Sequence, residues 1–457
     1  AITALTLDMS EAGAATFNNK IIATELDISG DIDVDGTANL DVVDIDGAVN
    51  LGGTLTFGDS GFIIGNSTNG IRINDSANSV NLIKIFDDGS FQTVTAGTNN
   101  LRLGLNAGNS ILSGAVQNVV LGDDAGTAIT TGDNNVCIGY QAGDAISVGD
   151  NNVAIGKNAL GAEDGHDFNI AIGSNALAAQ NAGADAYNIA IGHNAGTSIT
   201  SGVQNTLIGG QAGDAITDAD FNVAVGHNAL SVNALGSKSV AIGHNALLFQ
   251  NPASTADMHN LAVGHGAGAQ ITTGTQNTLI GALAGDAADT GAANVAVGYQ
   301  TLTADTRGQN NVAIGHNALA TQNFSSATNS YNTAVGSQAG LVISTGVENT
   351  LVGGLAGDAL TDADFNTAIG SKALESDDRG SRTTAVGRNA LKNQNFSSAT
   401  DSHNVAVGFE AGLGLTTGEK NIFVGSQAGG DSTFTGDSNT IVGYAAGFNL
   451  TSGGNNL

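Results

Sequence analysis

The nine residues Asn152-Val153-Ala154-Ile155-Gly156-Lys157-Asn158-Ala159-Leu160 decide how this chain folds, because they recur along most of its length. Residues Asn311-Val312-Ala313-Ile314-Gly315-His316-Asn317-Ala318-Leu319 repeat them with a single change. The unit reads Asn, apolar, small, Ile or Val, Gly, any residue, Asn or Gln, Ala, then Leu or Gly. Its glycine falls at 104, 122, 139, 156, 173, 192, 209, 226, 243, 264, 281, 298, 315, 336, 353, 370, 387, 408, 425 and 443, twenty copies in all. A fixed short period means one structural unit stacked on itself.

Most steps are 17 residues and every fourth is longer, so Gly192, Gly264, Gly336 and Gly408 lie 72 apart, as do Gly209, Gly281, Gly353 and Gly425. Four coils therefore form a superrepeat. The position two before the glycine is usually Ala, but it becomes Leu207, Leu279, Leu351 and Phe423 in the same member of each block. The extra residues follow Leu247, Leu319 and Leu391, giving Gln250-Asn251-Pro252, Gln322-Asn323-Phe324 and Gln394-Asn395-Phe396. Their polar, small-residue continuation suits lateral loops at the surface, where insertions are tolerated.

Val-Ala-Ile before the glycine is β-branched and too short for a helix, which predicts a strand of about four residues that the glycine ends. A second, weaker strand is expected in segments such as Ala128-Ile129-Thr130-Thr131 and Gln270-Ile271-Thr272-Thr273. The fold class is thus all-β: a β-solenoid or β-roll of about twenty 17-residue coils. Alternation puts Val and Ile on one face of the strand and Ala on the other, yet all are apolar, so both faces are expected to be buried. A two-stranded roll has one interior only, and the second face calls for another copy. The expectation is a parallel homotrimeric fibre with the small-residue face at one contact and the Val/Ile face at the other; a monomeric β-helix that buries both faces is the alternative. Twenty coils at ~4.8 Å give a rod of about 95 Å. The recurring Asn135, Asn152, Asn169, Asn205, Asn222 and Asn277 are expected to stack as an amide ladder along it.

Composition narrows the function. The 457 residues include 66 glycines, one proline and no tryptophan, so small and β-branched side chains must fill the core. Forty-two acidic residues against thirteen basic give a net charge of −29, which excludes nucleic acid and anionic membrane as partners. It suits a soluble extracellular or virion protein. Cys137 is the single cysteine, so no intrachain disulfide forms. No apolar run is long enough to span a membrane, and Ala1 to Ser10 lack the basic start and apolar stretch of a secretion signal. Residues 1–95 lack the repeat and alternate apolar with acidic residues, as in Ile32-Asp33-Val34-Asp35, which reads as an N-terminal β-rich domain or an irregular solenoid start. Residues 96–457 are the repeat shaft, which stops in mid-repeat, so the native protein is expected to continue.

The repeated Asn-Val-Ala-Ile-Gly-x-Asn-Ala-Leu resembles the head repeats of trimeric autotransporter adhesins. It is still more similar to repeats in tail-fibre-type proteins of marine phages, whose opening segments also resemble residues 4–17 here. The repeat likeness covers residues 100–457. It implies a trimeric fibre attached to a virion or cell surface, with self-association and contacts to other virion or surface-fibre proteins. The 17-residue coil is longer than the adhesin-head unit, and no coiled-coil stalk or membrane anchor is visible, which favours the phage likeness over the autotransporter one.

Few side chains suggest chemistry. His227, His244 and His265 hold one repeat position on consecutive coils, a spacing that invites a metal ion, although that position elsewhere accepts Lys157, Ser174, Gly210 and Tyr299 and so reads as an exposed column. Asp214, Asp218 and Asp220, echoed by Asp358, Asp362 and Asp364, are candidate oxygen ligands for a structural calcium ion, weighed against ordinary turn-forming aspartates. Asp31-x-Asp33-x-Asp35-Gly36 mimics the start of a calcium loop, but Val42 stands where the bidentate Glu belongs. Gly264-His265-Gly266-Ala267-Gly268 imitates a dinucleotide loop but is the repeat itself. Cys137 replaces a small core Ala and reads as a buried spacer. Phe324 and Phe396, repeated in the lateral loops, are candidates for gripping host-cell glycans. With no catalytic constellation apart from the repeat, the sequence points to no enzyme and no cofactor. The leading expectation is the shaft of a virion-associated fibre that positions a recognition tip; the alternative is an adhesin or extracellular filament whose lateral loops bind.

Overall fold

The structure, a computed structural model, describes the backbone of strands Ile71–Asp75, Val80–Ile85 and Phe91–Thr93 and all of residues 97–456. The three early strands form an antiparallel sheet. The rest of the N-terminal segment, including the calcium-loop mimic, lies outside the described residues. No helix occurs among the described residues.

Every copy of the repeat supplies one three-residue strand, from Leu101–Leu103 through Val153–Ile155 to Thr440–Val442. Each strand pairs in parallel with the strand of the next coil, in register: Val136, Cys137 and Ile138 face Val153, Ala154 and Ile155, and these face Ile170, Ala171 and Ile172. The result is one parallel ladder of twenty strands, a β-solenoid. The expected second strand does not form. Where it was predicted, Ala128, Thr130 and Leu112 still donate backbone bonds to neighbouring coils. Left-handed residues at Asp124 and Asn134 and at Gly126 break the extended run on that side, so the bonds never join into a regular ladder.

The two faces of the strand have different fates. The middle residue points inward and is buried in nineteen of the twenty strands, Arg102 being the exception. These Ala, Leu, Val, Ile, Cys and Phe side chains belong to the chain's own continuous core, so the small-residue face is not a contact between copies. The outer two residues of each strand point away from it.

Two side-chain columns hold the coils in register. The first is the asparagine that precedes each strand. Asn152 Oδ1 accepts the backbone N–H of Asn169 at 2.9 Å, Asn152 donates its own N–H to Asn135 Oδ1 at 2.9 Å, and Asn152 Nδ2 donates to the His166 carbonyl at 2.8 Å. The same bonds recur from Asn118 to Asn456, interrupted by Ser239 and Thr383, which still donate their N–H into the ladder. The second column is the glycine that follows each strand. At Gly156 φ is +131°, and a β-carbon would lie 2.6 Å from the carbonyl of Gly173 in the next coil, so any side chain would push the coils apart.

Core volume is shared between coils by alternating its source. Coils with Leu207 or Leu279 in the strand carry Gly213 or Gly285 in the turn, while coils with Ala224 or Ala241 in the strand carry a buried Leu230 or Leu247 in the turn. Seven residues after the strand glycine, coils with Gly in the turn have apolar residues such as Ile199, Ile216, Ile271 or Ala288, and coils with Leu in the turn have buried polar residues: Glu163, Gln180, Asn233, Gln250, Asp305, Gln322, Asp377 and Gln394. The lateral inserts rejoin the coil through two-residue parallel pairs, Gly236–Ser237 with Ala256–Asp257, Gly308–Gln309 with Thr328–Asn329, and Gly380–Ser381 with Thr400–Asp401.

Replacing Asn205 by Leu keeps the branching of the side chain but leaves the Asn222 N–H and the Ala219 carbonyl unpaired in the interior. The expected cost is about 1–3 kcal/mol. It is read as a lower urea midpoint and as faster hydrogen exchange at the Asn222 amide than in the parent chain.

Candidate functional site

The outward strand face is the feature with most functional content. Its forty positions, two per strand, are all Val, Ile, Leu or Thr, and the third residue of every strand is aliphatic. None of the forty is buried; Ile208 and Ile280, for example, are 38% and 37% exposed. On a chain with 42 acidic residues, not one carboxylate falls on this strip.

Side-chain columns border the strip on both sides. After the strand glycine come exposed residues that stack ring on ring between coils: His227 on His244 at 5.6 Å, His244 on His265 at 5.2 Å, and Tyr299 on His316 at 5.8 Å. Before the ladder asparagine, Phe168 stacks on Tyr187 at 5.1 Å and the Arg382 guanidinium lies over Phe365 at 5.1 Å. Parallel in-register stacking produces these contacts, since equivalent side chains sit one coil apart. No protein-family model matches this chain, and no curated protein matches it.

The candidate ligand sets take other arrangements. The three imidazoles lie nearly parallel, with interplanar angles of 9° and 8°, and present ring faces to one another. Their in-plane lone pairs therefore do not converge on one ion. Asp214, Asp218 and Asp220 also diverge. Asp214 accepts Ser231 Oγ at 2.6 Å, Asp218 accepts Thr200 Oγ1 at 3.0 Å and Ser201 Oγ at 2.5 Å, and Asp220 accepts the Val203 N–H at 2.8 Å. Asp364 repeats the last of these with Val347 N–H. Each carboxylate is used as a turn brace.

Phe324 and Phe396 are only 6% and 5% exposed, so their rings are not offered to a glycan. They plug the lateral insert against the preceding coil: a β-carbon on Gly380 would lie 2.9 Å from the Phe396 ring. In the first of these inserts the equivalent residue is the smaller Pro252, and Met258 covers Gly236 instead; where the plug is Phe, the Met258 position holds buried Ser330 or Ser402. The sequence shows both halves of this exchange of volume, but only the fold shows that they meet.

Several buried polar groups escaped the sequence reading. Asp305 Oδ1 accepts the Gly308 N–H at 2.8 Å and Oδ2 accepts Gln322 Nε2 at 2.6 Å, while Gln322 Oε1 accepts Asn332 Nδ2 at 2.8 Å, which ties the carboxylate to the ladder. Asp377, Gln394 and Asn404 repeat the arrangement. Burial pushes both carboxyls above the usual carboxylate range despite these donors. At the surface of the core, Asp358 is raised to about 6 by burial and then by the charge of Glu375. Equivalent coils place Ser231 and Thr303, which hydrogen-bond Asp214 and Asp286, where Glu375 stands. Lys372 at 2.9 Å and Lys392 at 3.2 Å outweigh the effect of burial and hold Glu375 below its ordinary value. Cys137 is wholly buried, which pushes its thiol up to about 12 and leaves no nucleophilic thiolate.

A carboxyl whose pKa is raised by folding stabilises the fold below its unfolded value, and that contribution is lost as pH rises through the folded value. Asp305→Asn with Asp377→Asn, which installs the residue found at Asn233, is therefore expected to raise the thermal midpoint at pH 8. The advantage shrinks as pH falls toward 4. Thermal unfolding of both chains across that range checks it.

Proposed function

We propose that this chain is a non-catalytic fibre shaft that assembles through its outward strand face with further copies of itself, as a parallel homotrimer. The observation that carries the reading is the charge-free strip, aliphatic without a break in its third-residue column and limited to Val, Ile, Leu and Thr in its first. Twenty strands at ~4.8 Å by three residues at ~3.3 Å give an area of about 950 Å². That exceeds the ~300–600 Å² of the largest apolar patch on a typical monomer and reaches the ~800 Å² that each partner contributes to a stable interface. A second copy offers the same strip at the same repeat, so the surfaces match along their whole length. The flanking Tyr, Phe, His and Arg columns have the composition of an interface rim. Because no acidic side chain stands on the strip, and the columns beside it hold only Asp123 and Glu348, copies meet with few carboxylates facing one another.

A shaft of this kind fits a virion-associated tail fibre, or a related adhesin, that holds a recognition end away from the particle. The resemblance of the repeat to phage fibre and adhesin-head units supports that placement at a virion or cell surface. The alternative role of Phe324 and Phe396 as glycan grips is disfavoured by their burial.

Light scattering of the purified chain is expected to give a particle of three times 45.2 kDa. Ile208→Lys with Ile280→Lys, which places two charges on the strip without touching the core, is expected to reduce it to monomers with unchanged circular dichroism. A monomeric parent chain would refute assembly through this face.

A further inference from the structure

One coil breaks the rule that the residue ten after the strand glycine must be small. In the thirteen coils of 17 residues, the carbonyl of this residue accepts the side-chain amide of a ladder asparagine, as Gly149 does from Asn135 and Ala219 from Asn205. Ten of the thirteen are Gly, two are Ala, and one is His166. The site is crowded: a β-carbon at Gly132 or Gly202 would lie 2.5 Å from the next coil's carbonyl oxygen. A large, metal-competent side chain at such a position departs from what the repeat dictates, and such departures concentrate at functional sites.

The same coil has changed a second residue in concert. Equivalent coils carry Asn233-Ala234-x-Gly236, Asp305-Thr306-x-Gly308 and Asp377-Asp378-x-Gly380, and here the chain reads Glu163-Asp164-x-His166. With Asp at the first position a side chain at the fourth would displace the carboxylate, because a β-carbon at Gly308 or Gly380 would lie 2.1 or 2.2 Å from the Asp Oδ2. Glu163 and His166 are thus a coupled pair. His166 Nδ1 lies 2.7 Å from Glu163 Oε1 and 4.0 Å from Asp164 Oδ1, and all three ligand atoms fall within 4.8 Å of one another. Glu163 is fully buried, His166 is 20% exposed and Asp164 is 62% exposed, which leaves one side open to solvent.

We propose that Glu163, Asp164 and His166 form a binding site for a divalent transition-metal ion of the zinc class. One nitrogen and two carboxylate oxygens with an open fourth position match that ion's donor preference, while calcium and magnesium take all-oxygen sets. The ligands are held rigidly. Gln180 Nε2 donates to Glu163 Oε2 at 3.1 Å and is itself tied to Asn188, the Asp164 carbonyl accepts Ser147 Oγ at 2.8 Å, and the His166 carbonyl accepts Asn152 Nδ2. The Glu163 Oε1 that would face the ion accepts the backbone N–H of His166 at 3.1 Å as well. The ion takes the place of the Nδ1 proton. In a neutral ring that proton moves to Nε2; a protonated ring releases one proton to solvent, so binding weakens in acid. The buried Glu163 carboxylate, whose neighbours are an imidazole and a second carboxylate, gains a counter-charge.

The test is titration of the full chain, stripped with chelator, with zinc chloride in millimolar calcium and magnesium to mask the acidic surface. One saturable equivalent per chain is expected, together with a rise in thermal midpoint. Cobalt is expected to give the visible absorption of a four-coordinate site. His166→Gly restores the residue that ten equivalent coils carry, so it folds, and it is expected to remove that equivalent. Gln180→Leu is expected to weaken binding by about 10–100-fold. A parent chain without a saturable equivalent, or a His166→Gly chain that binds zinc as the parent does, would overturn the site and leave Glu163 and His166 as a hydrogen-bonded pair only.

Discussion

Coils stack at one strand spacing because the residue that closes each strand has no side chain. Gly104, Gly122, Gly139 and their successors put backbone directly under backbone, and the parallel pairing of Val153–Ile155 with its neighbours follows from that approach. Once the backbones are that close, each ladder asparagine is within reach of three partners, one on the coil before and two on the coil after. The amide ladder is thus a product of the glycine column, and it converts close approach into fixed register. Everything else, from the ring stacks on the surface to the plugs in the inserts, inherits the same spacing.

Repetition also explains why the core tolerates buried carboxylates. A coil with Leu in the turn has no room for Ile199-like residues at the seventh position, and the space is filled by Asp305 or Gln322 bonded across coils. The pair costs solvation, which appears as the raised pKa of Asp305 and Asp377, and is offset by hydrogen bonds into the ladder.

The repeat, the all-β class, the parallel stacking and the asparagine ladder were legible in the sequence, because each depends on spacing and residue type alone. The second strand was not, because Ala-Ile-Thr-Thr has the right propensity but is flanked by left-handed residues such as Asp124 and Asn134 that only the closed coil requires. Which strand face turns inward was also hidden, since Val-Ala-Ile is apolar on both. The burial of Phe324 and Phe396 was hidden for a similar reason: an aromatic in a polar insert looks exposed until Gly380 is seen beneath it. Glu163 and His166 left a signal that was missed, an outlier in a column that is otherwise Gly or Ala.

The exchange of volume between Pro252 with Met258 and Phe324 with Ser330 bears on how such a gene changes length. Loss or gain of one whole 72-residue block by unequal recombination rejoins coils of the same type, and the chain shortens or grows in quanta of about 19 Å with every cross-coil bond remade. A crossover inside an insert is different. Joining the first half of one to the second half of the next would set Pro252 opposite Ser330 and leave a void, or Phe324 opposite Met258 and overfill it. The inserts therefore act as seams that penalise misaligned splicing, and length variants are expected to keep each insert whole.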